Sequence, residues 1–348
     1  MFYKILIDPR STINYSSYYI QGLYDVLGKK NVKFSSRYFT ELKEIDMLMA
    51  FALVGEETTK KIIIDYRDQN DMIEEALSWS DIYAKINVDA QTMQHPASYK
   101  LIIIPPSFAI KIWNPGELFF HLCNNFVKAK IFKHFKDKNI HLRPKRWIRN
   151  YLSLLKRQTL QQYIVTNQSS EDNFVFFVST LWPDQDNTNT NRYHYISTCI
   201  QKPEIYIEGG FFVNKKMWRE RTIPDAVPQK LFYNKYLSNK KYVQNTKKSL
   251  FVFNTPAVHN CHGWKLGEYL CMGKAIISTP LVNETPVPLV HGEHIYFVEN
   301  KQDIEKAVTL LLENKDLRQH LENNAKSYYD KHVSPAKVIE RIIQDSVK

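Results

Sequence analysis

Residues 259–279 read HNCHGWKLGEYLCMGKAIIST, and the order of residue types within them sets the fold. Trp264, Leu266, Tyr269, Leu270 and Met272 recur with a helical period, Gly273 suits the position just past a helix, and KAIIS opens a strand. On the other side, SLFVFNTP (249–256) is an apolar run of strand length ending near Asn254. The pattern predicts strand, loop, helix, strand, the unit of a parallel sheet. His259, Asn260, Cys261, His262 and Gly263 then lie at a helix N-terminus beyond the carboxyl end of a strand, where open α/β sheets take their ligands. Unpaired backbone N–H groups and the positive end of the helix suit a phosphate there, and Gly263 lets a diphosphate approach the backbone. Lys265 adds a point charge, and Glu268, one turn further on, is placed to accept hydrogen bonds from a ribose diol. A metal is the weaker reading, because His259, Cys261 and His262 lack the separated ligand pairs of zinc sites.

The same alternation extends through the chain. Before it come the strand-like runs YKILIDP (3–9), DMLMAFALV (46–54), KIIIDY (61–66), DIYAKINV (81–88) and YKLIIIPP (99–106). Helical patterns end at Gly28 and span NDMIEEALSWS (70–80). A second series holds FVFFVSTLW (174–182), a helix over NRYHYISTCIQ (191–201), EIYIEGGFF (204–212) running into a glycine turn, and HIYFVEN (294–300) with two closing helices to residue 332. Near-continuous apolar strands separated by helices predict mostly parallel sheets covered on both faces. The expected organisation is two tandem α/β domains, 1–165 and 166–332, joined at the polar stretch TNQSSEDN (166–173), then a helix over 333–348 begun by Ser-Pro.

With 348 residues, 44% of them hydrophobic, the chain has material for two cores. Its four cysteines show no framework spacing, which points to reduced thiols in a cytoplasmic compartment. The N-terminus lacks the pattern of an export signal, and no uncharged apolar run is long enough to span a bilayer. The net charge of +11 is concentrated in residues 128–157, with eleven Lys or Arg against Asp137 alone. Phe132, Phe135, Trp147, Ile148, Tyr151 and Leu152 give that segment an apolar side, so an anionic membrane surface is the expected partner and nucleic acid is not.

The run GWKLGEYLCMGKAIISTPL, followed by HGEHIYFVENKQDIEKAVTLLLENKDLRQHLENNAKSYY, resembles the donor-binding domain of GT-B glycosyltransferases, especially those related to glycogen synthase. The resemblance covers about residues 250–330. It implies two Rossmann-like doubly wound domains facing across a cleft, with a nucleotide sugar held by the second and a polysaccharide or lipid-linked oligosaccharide acceptor by the first. It also implies no required metal, a basic residue that neutralises the departing diphosphate, and a last helix that returns to the first domain. Glu268 matches the ribose-binding glutamate. The partner glutamate eight positions earlier in retaining families is Asn260 here, which leaves the stereochemical outcome open. Arg192, the last residue of the loop PDQDNTNTNR, is the leading diphosphate partner, with Lys265 second. Glu208, Gly209 and Gly210 mark another strand end towards the same site, and Asn283, Glu284 and Thr285 lie where relatives hold the sugar. An inverting reaction needs a base, for which Asp65, Asp68 and Asp8 at strand ends of the first half are candidates. Two other readings of the resemblance are a non-hydrolysing nucleotide-sugar epimerase and a glycosyltransferase-like subunit that binds without turnover.

Overall fold

The computed structural model describes residues 4–43, 45–130, 143–164, 171–214, 216–218, 227–233, 235 and 237–346. They divide into two compact units, Met1–Leu160 with Asn283–Pro286 and Lys331–Lys348, and Gln161–Val282 with Val287–Asp330. Residues 165–170, most of the stretch read as a linker, lie outside the described residues, as do 131–142 of the basic segment.

The first unit is built on strands β1 (Lys4–Ile7), β2 (Val32–Phe34), β3 (Leu48–Val54), β4 (Thr59–Asp65), β5 (Ile82–Lys85) and β6 (Leu101–Ile103). The helices among and after them are α1 (Ile13–Leu27), α2 (Glu74–Trp79), α3 (Ala90–Met93), α4 (Pro115–Lys130) and α5 (Pro144–Ser153). The sheet runs β2-β1-β3-β4-β5-β6. Its outer pairs are parallel, but β3 is antiparallel to both neighbours, with Ile5 opposite Leu53 and Phe51 opposite Ile62. This corrects the expectation of parallel strands at that point. Only Gly55–Thr58 separate β3 from β4, closed by Gly55 N–H donating to Thr58 O at 2.8 Å, and four residues can make a hairpin but not a parallel crossover. Buried Leu48, Ala50, Ile63, Leu77 and Tyr83 belong to one core beneath this sheet.

The last helix, α12 (Pro335–Ser346), closes this unit against α1. Tyr18 Oη donates to Val333 O at 2.8 Å, and Gly22 lies so close that a Cβ on it would come within 2.2 Å of Pro335 O. Glycine is needed here by backbone contact between elements.

The second unit holds α6 (Leu160–Tyr163, at its border), β7 (Phe174–Thr180), α7 (Asp186–Gln201), β8 (Tyr206–Phe212), α8 (Asn239–Lys248) and β9 (Val252–Asn254). It continues with α9 (Trp264–Cys271), β10 (Ile276–Ser278), β11 (Tyr296–Phe297), α10 (Lys301–Glu313) and α11 (Lys315–Tyr328). Every strand pair is parallel, in the orders β7-β8 and β11-β10-β9, and Leu250 N–H donates to Phe174 O at 2.7 Å just before β9. Phe177, Tyr195 and Phe253 form the centre of the core, the last two rings stacked at 4.5 Å.

Two local expectations change here. Helix α7 starts at Asp186 rather than 191, because Asn189 closes its first turn by bonding Trp182 through both N–H and C=O. Gly209 and Gly210 lie inside β8 rather than in a turn. Their φ values are 142° and 143°, and a Cβ would strike Phe177 O at 1.8 Å and Leu231 O at 2.1 Å.

Gly22→Ala is expected to lower stability by about 2 kcal/mol, as other overpacked contacts do. Gly116→Ala, in the first turn of α4, where a Cβ would meet only Asn114 Oδ1 at an ordinary 3.4 Å, should be neutral or slightly stabilising. Urea unfolding of the two variants checks this, and equal midpoints would refute the close α1–α12 approach.

Candidate functional site

Two basic side chains of the second unit, buried Arg192 and half-buried Lys265, meet the backbone at the ends of β7 and β9. Arg192 points out of the second turn of α7 and is 5% exposed. Its Nε donates to Thr255 Oγ1, just after β9, at 2.9 Å, and its Nη1 donates to Thr180 O, the last residue of β7, at 3.0 Å. Neither partner carries charge. Burial accordingly pushes the guanidinium down to about 10, with Tyr269 and Cys261 opposing.

From Asn254, whose Nδ2 donates to Ser278 Oγ at 3.0 Å, the chain enters the 255–263 loop. His259 and Asn260 adopt left-handed conformations with φ of 57° and 56°. Asn tolerates that region better than Glu does, a backbone reason for Asn260 where relatives of the resembled family carry a glutamate. The loop is closed by Ala257 N–H donating to Cys261 O at 3.0 Å. Gly263 is the N-cap of α9 and supplies no side-chain acceptor, so the helix start keeps its positive end for other use. A Cβ at Gly263 would only touch Ala257 Cβ at 3.7 Å, so packing does not demand glycine there.

Lys265, in the first turn of α9, donates to Val178 O, and its Nζ lies 4.8 Å from the Phe177 ring centroid. Burial lowers its pKa to about 7, the neighbouring Arg192 adds to the effect and Glu268 opposes it. The Glu268 carboxylate is 5% exposed and accepts from Tyr242 Oη at 2.9 Å and Tyr163 Oη at 3.3 Å, while Asn239 Nδ2 donates to Tyr163 Oη at 3.3 Å. Burial first, then the Glu268 charge, hold the Tyr242 hydroxyl far above its ordinary pKa, so it remains a donor. Buried Arg192, a lysine whose proton is weakly held and the positive start of α9 face one carboxylate, and an oxyanion arriving there favours the protonated form of Lys265.

Arg192, Lys265 and Glu268 are therefore brought together, with buried His262 on the adjoining loop and Asn260 exposed on it. Glu208 is held by Asn245, whose Nδ2 donates to Oε2 at 3.1 Å. Asn283 and Glu284 belong to the first unit, where Glu284 N–H donates to Val88 O at 2.8 Å and Asn283 faces Asn87 at 3.5 Å; Thr285 goes with them.

Two of the three candidate bases are corrected. Asp8 is buried in a forked pair with Arg10, Nε to Oδ1 at 2.9 Å and Nη2 to Oδ2 at 2.5 Å, and Arg10 in turn donates to Leu42 O and Phe39 O. Asp65 accepts from Tyr83 Oη at 2.7 Å, Lys85 Nζ at 2.9 Å and Arg67 Nη2 at 3.0 Å. Both are ion-pair centres of the first unit, not groups open to an acceptor. Asp68 is exposed. Tyr163, Tyr242 and Thr255 carry no sequence signal; Tyr163 meets Glu268 across 105 residues of chain. All four cysteines are free, and among the described residues no group of three or more His, Cys, Asp or Glu is placed to hold a metal ion.

Residues 200–344 match the family model described as glycosyl transferase-like, a stretch that includes the run resembling the GT-B donor domain. No curated protein matches the chain. Among solved structures it is similar to the C-terminal domain of a glycosyl transferase group 1 family protein (LpcC) from Francisella tularensis, at 14% identity, TM-score 0.35, over 49% of this chain and 96% of that one. It is also similar to Anabaena HepE in complex with UDP-glucose, at 10% identity, TM-score 0.38, over 76% and 91%. A third likeness, at 14% identity and TM-score 0.36 over 78% of each chain, is to a putative UDP-N-acetylglucosamine 2-epimerase from Listeria monocytogenes. TM-scores this low leave the site to rest on the chain's own geometry.

Lys265 binds fewer protons folded than unfolded between about 7 and its ordinary 10.5. The penalty of burying its charge is fully present below pH 7 and is relieved as pH rises through that window. Wild-type stability should therefore rise relative to Lys265→Met from pH 7 to pH 10. Parallel melting curves across that range would show that Lys265 keeps an ordinary pKa.

Proposed function

We propose that this chain, whose residues 200–344 match the glycosyl transferase-like family model, moves a sugar from a nucleoside-diphosphate sugar to a polysaccharide or lipid-linked oligosaccharide acceptor. The observation that carries this reading is the placement of buried Arg192 and half-buried Lys265, bonded to the neutral oxygens of Thr255, Thr180 and Val178, beside the start of α9, whose N-cap Gly263 has no side chain. As the bond from the anomeric carbon to the diphosphate oxygen breaks, negative charge grows on the leaving group. Fixed cations and backbone N–H groups out of water stabilise that charge with little reorganisation. The proposal includes no resident metal, since the positive charge comes from the two side chains. Cysteines that are all free fit a reducing, cytoplasmic setting.

The Glu268 carboxylate, held by Tyr242 and Tyr163, is the group that meets a ribose hydroxyl in this reading. Asn260 and His262 offer neutral hydrogen bonds to the sugar. Of the three aspartates, exposed Asp68 is the one retained as the base that deprotonates an acceptor hydroxyl in an inverting reaction.

A thermal-shift series with UDP, GDP, ADP, CMP and TDP tests the donor site. One nucleotide should raise the melting temperature by mass action. Arg192→Gln and Lys265→Met should each weaken that ligand at least tenfold, about the worth of one charge-assisted hydrogen bond. Titration near pH 8 in buffers of different ionisation enthalpy should also show proton uptake on binding, because an anion raises the Lys265 pKa from about 7. No shift with any nucleotide sinks the reading. Conversion of a nucleotide sugar with no acceptor present would replace transfer by epimerisation.

A further inference from the structure

The first unit carries a surface that nothing in the donor chemistry uses. Helix α4 packs through Leu118, Asn125 and Ala129. Phe120, Cys123 and Val127, at helical spacing i, i+3 and i+7, fall on the opposite side with Phe119 beside them. A helix whose inner face is already packed ordinarily shows charge outward. Here Phe119, Phe120 and Val127 are 65%, 62% and 63% exposed. The one acid of α4, Glu117, is paired to Lys29 at the margin of this face.

Helix α5 continues the surface. It is fixed on α4 by Trp147, whose Nε1 donates to Leu122 O at 3.1 Å, and by Tyr151, whose hydroxyl takes the Asn125 amide at 2.9 Å. Outward it presents Ile148 and Leu152, with Leu155 just beyond, all exposed. Lys145, Arg149 and Lys156 are exposed among them, and α5 contains no acid.

We propose that the outer faces of α4 and α5 dock on an anionic lipid surface, the phenylalanines entering the headgroup boundary and the cations meeting lipid phosphates. Alternating apolar and cationic side chains on adjoining helices match an interface that is greasy below and negative above. A second copy of the chain is disfavoured, since a two-fold contact would set these cations against their own equivalents. No described helix is long and apolar enough to cross a membrane, so the attachment is to the surface. It is independent of the donor site, which lies in the other unit.

Cys123 supplies the probe. It lies in the middle of the outer α4 face and is exposed, whereas Cys199, Cys261 and Cys271 are buried. The full chain, labelled there with a polarity-sensitive maleimide, is mixed with vesicles of phosphatidylcholine alone or with added phosphatidylglycerol. The expected result is a blue shift and co-sedimentation with the anionic vesicles only, weakened by salt. Lys145→Gln with Arg149→Gln and Lys156→Gln should cut partitioning about a hundredfold. Phe120→Ser with Val127→Ser should remove the blue shift, and unchanged circular dichroism and unchanged nucleotide thermal shifts confirm the fold of each variant. Binding that ignores lipid charge, absence of binding, or a shift that follows protein concentration without lipid overturns the proposal.

Discussion

Desolvation of positive charge at the carboxyl ends of β7 and β9 is the constraint on which the second unit's chemistry depends. Arg192 and Lys265 give up water for neutral oxygens, Thr255 Oγ1, Thr180 O and Val178 O. Neutral partners satisfy hydrogen-bonding geometry but return little Coulomb energy, so both cations are held below their ordinary pKa values. Parallel strands make this possible. Their carboxyl ends all point one way, so carbonyls of neighbouring strands and the start of the next helix converge on one place.

The first unit uses the same residue types to the opposite end. Asp8 and Asp65 also sit at strand ends, yet each is saturated by cations and donors from its own unit. Removing Arg10 or Lys85 would leave a buried carboxylate short of partners, so these networks hold the sheet edges in place. A strand-terminal aspartate is therefore ambiguous by itself. Arg10 and Arg67 pair with the aspartates two residues before them, a spacing visible in the chain, whereas Lys85 reaches Asp65 from the neighbouring strand β5 and leaves no such mark.

Glu268 lies between these cases. Its tyrosine clamp joins α6, α8 and α9, three elements remote in sequence. Tyr163 and Tyr242 bear no mark of this in the sequence, because a tyrosine at helical spacing reads as core until the facing carboxylate is known.

Much of the architecture was legible because its cause is local. Apolar strand runs, the Gly273 stop after α9 and the Glu268 helix element follow from side-chain period, backbone freedom and spacing. The β3 reversal was also local, written in the four residues Gly55–Thr58, but was hidden behind two strands that each look like buried parallel ones. The Asp186 start of α7 was masked by a run of Asn and Thr that resembles loop until Asn189 finds Trp182. By itself, then, the sequence determined two α/β units, a phosphate-suited helix start and a basic, apolar segment. Only the tertiary structure decided which charges are paired and which stay in surplus, and which helix faces remain outward. Those outcomes depend on partners from distant strands and helices, and pairing between distant groups leaves no period in the chain to read.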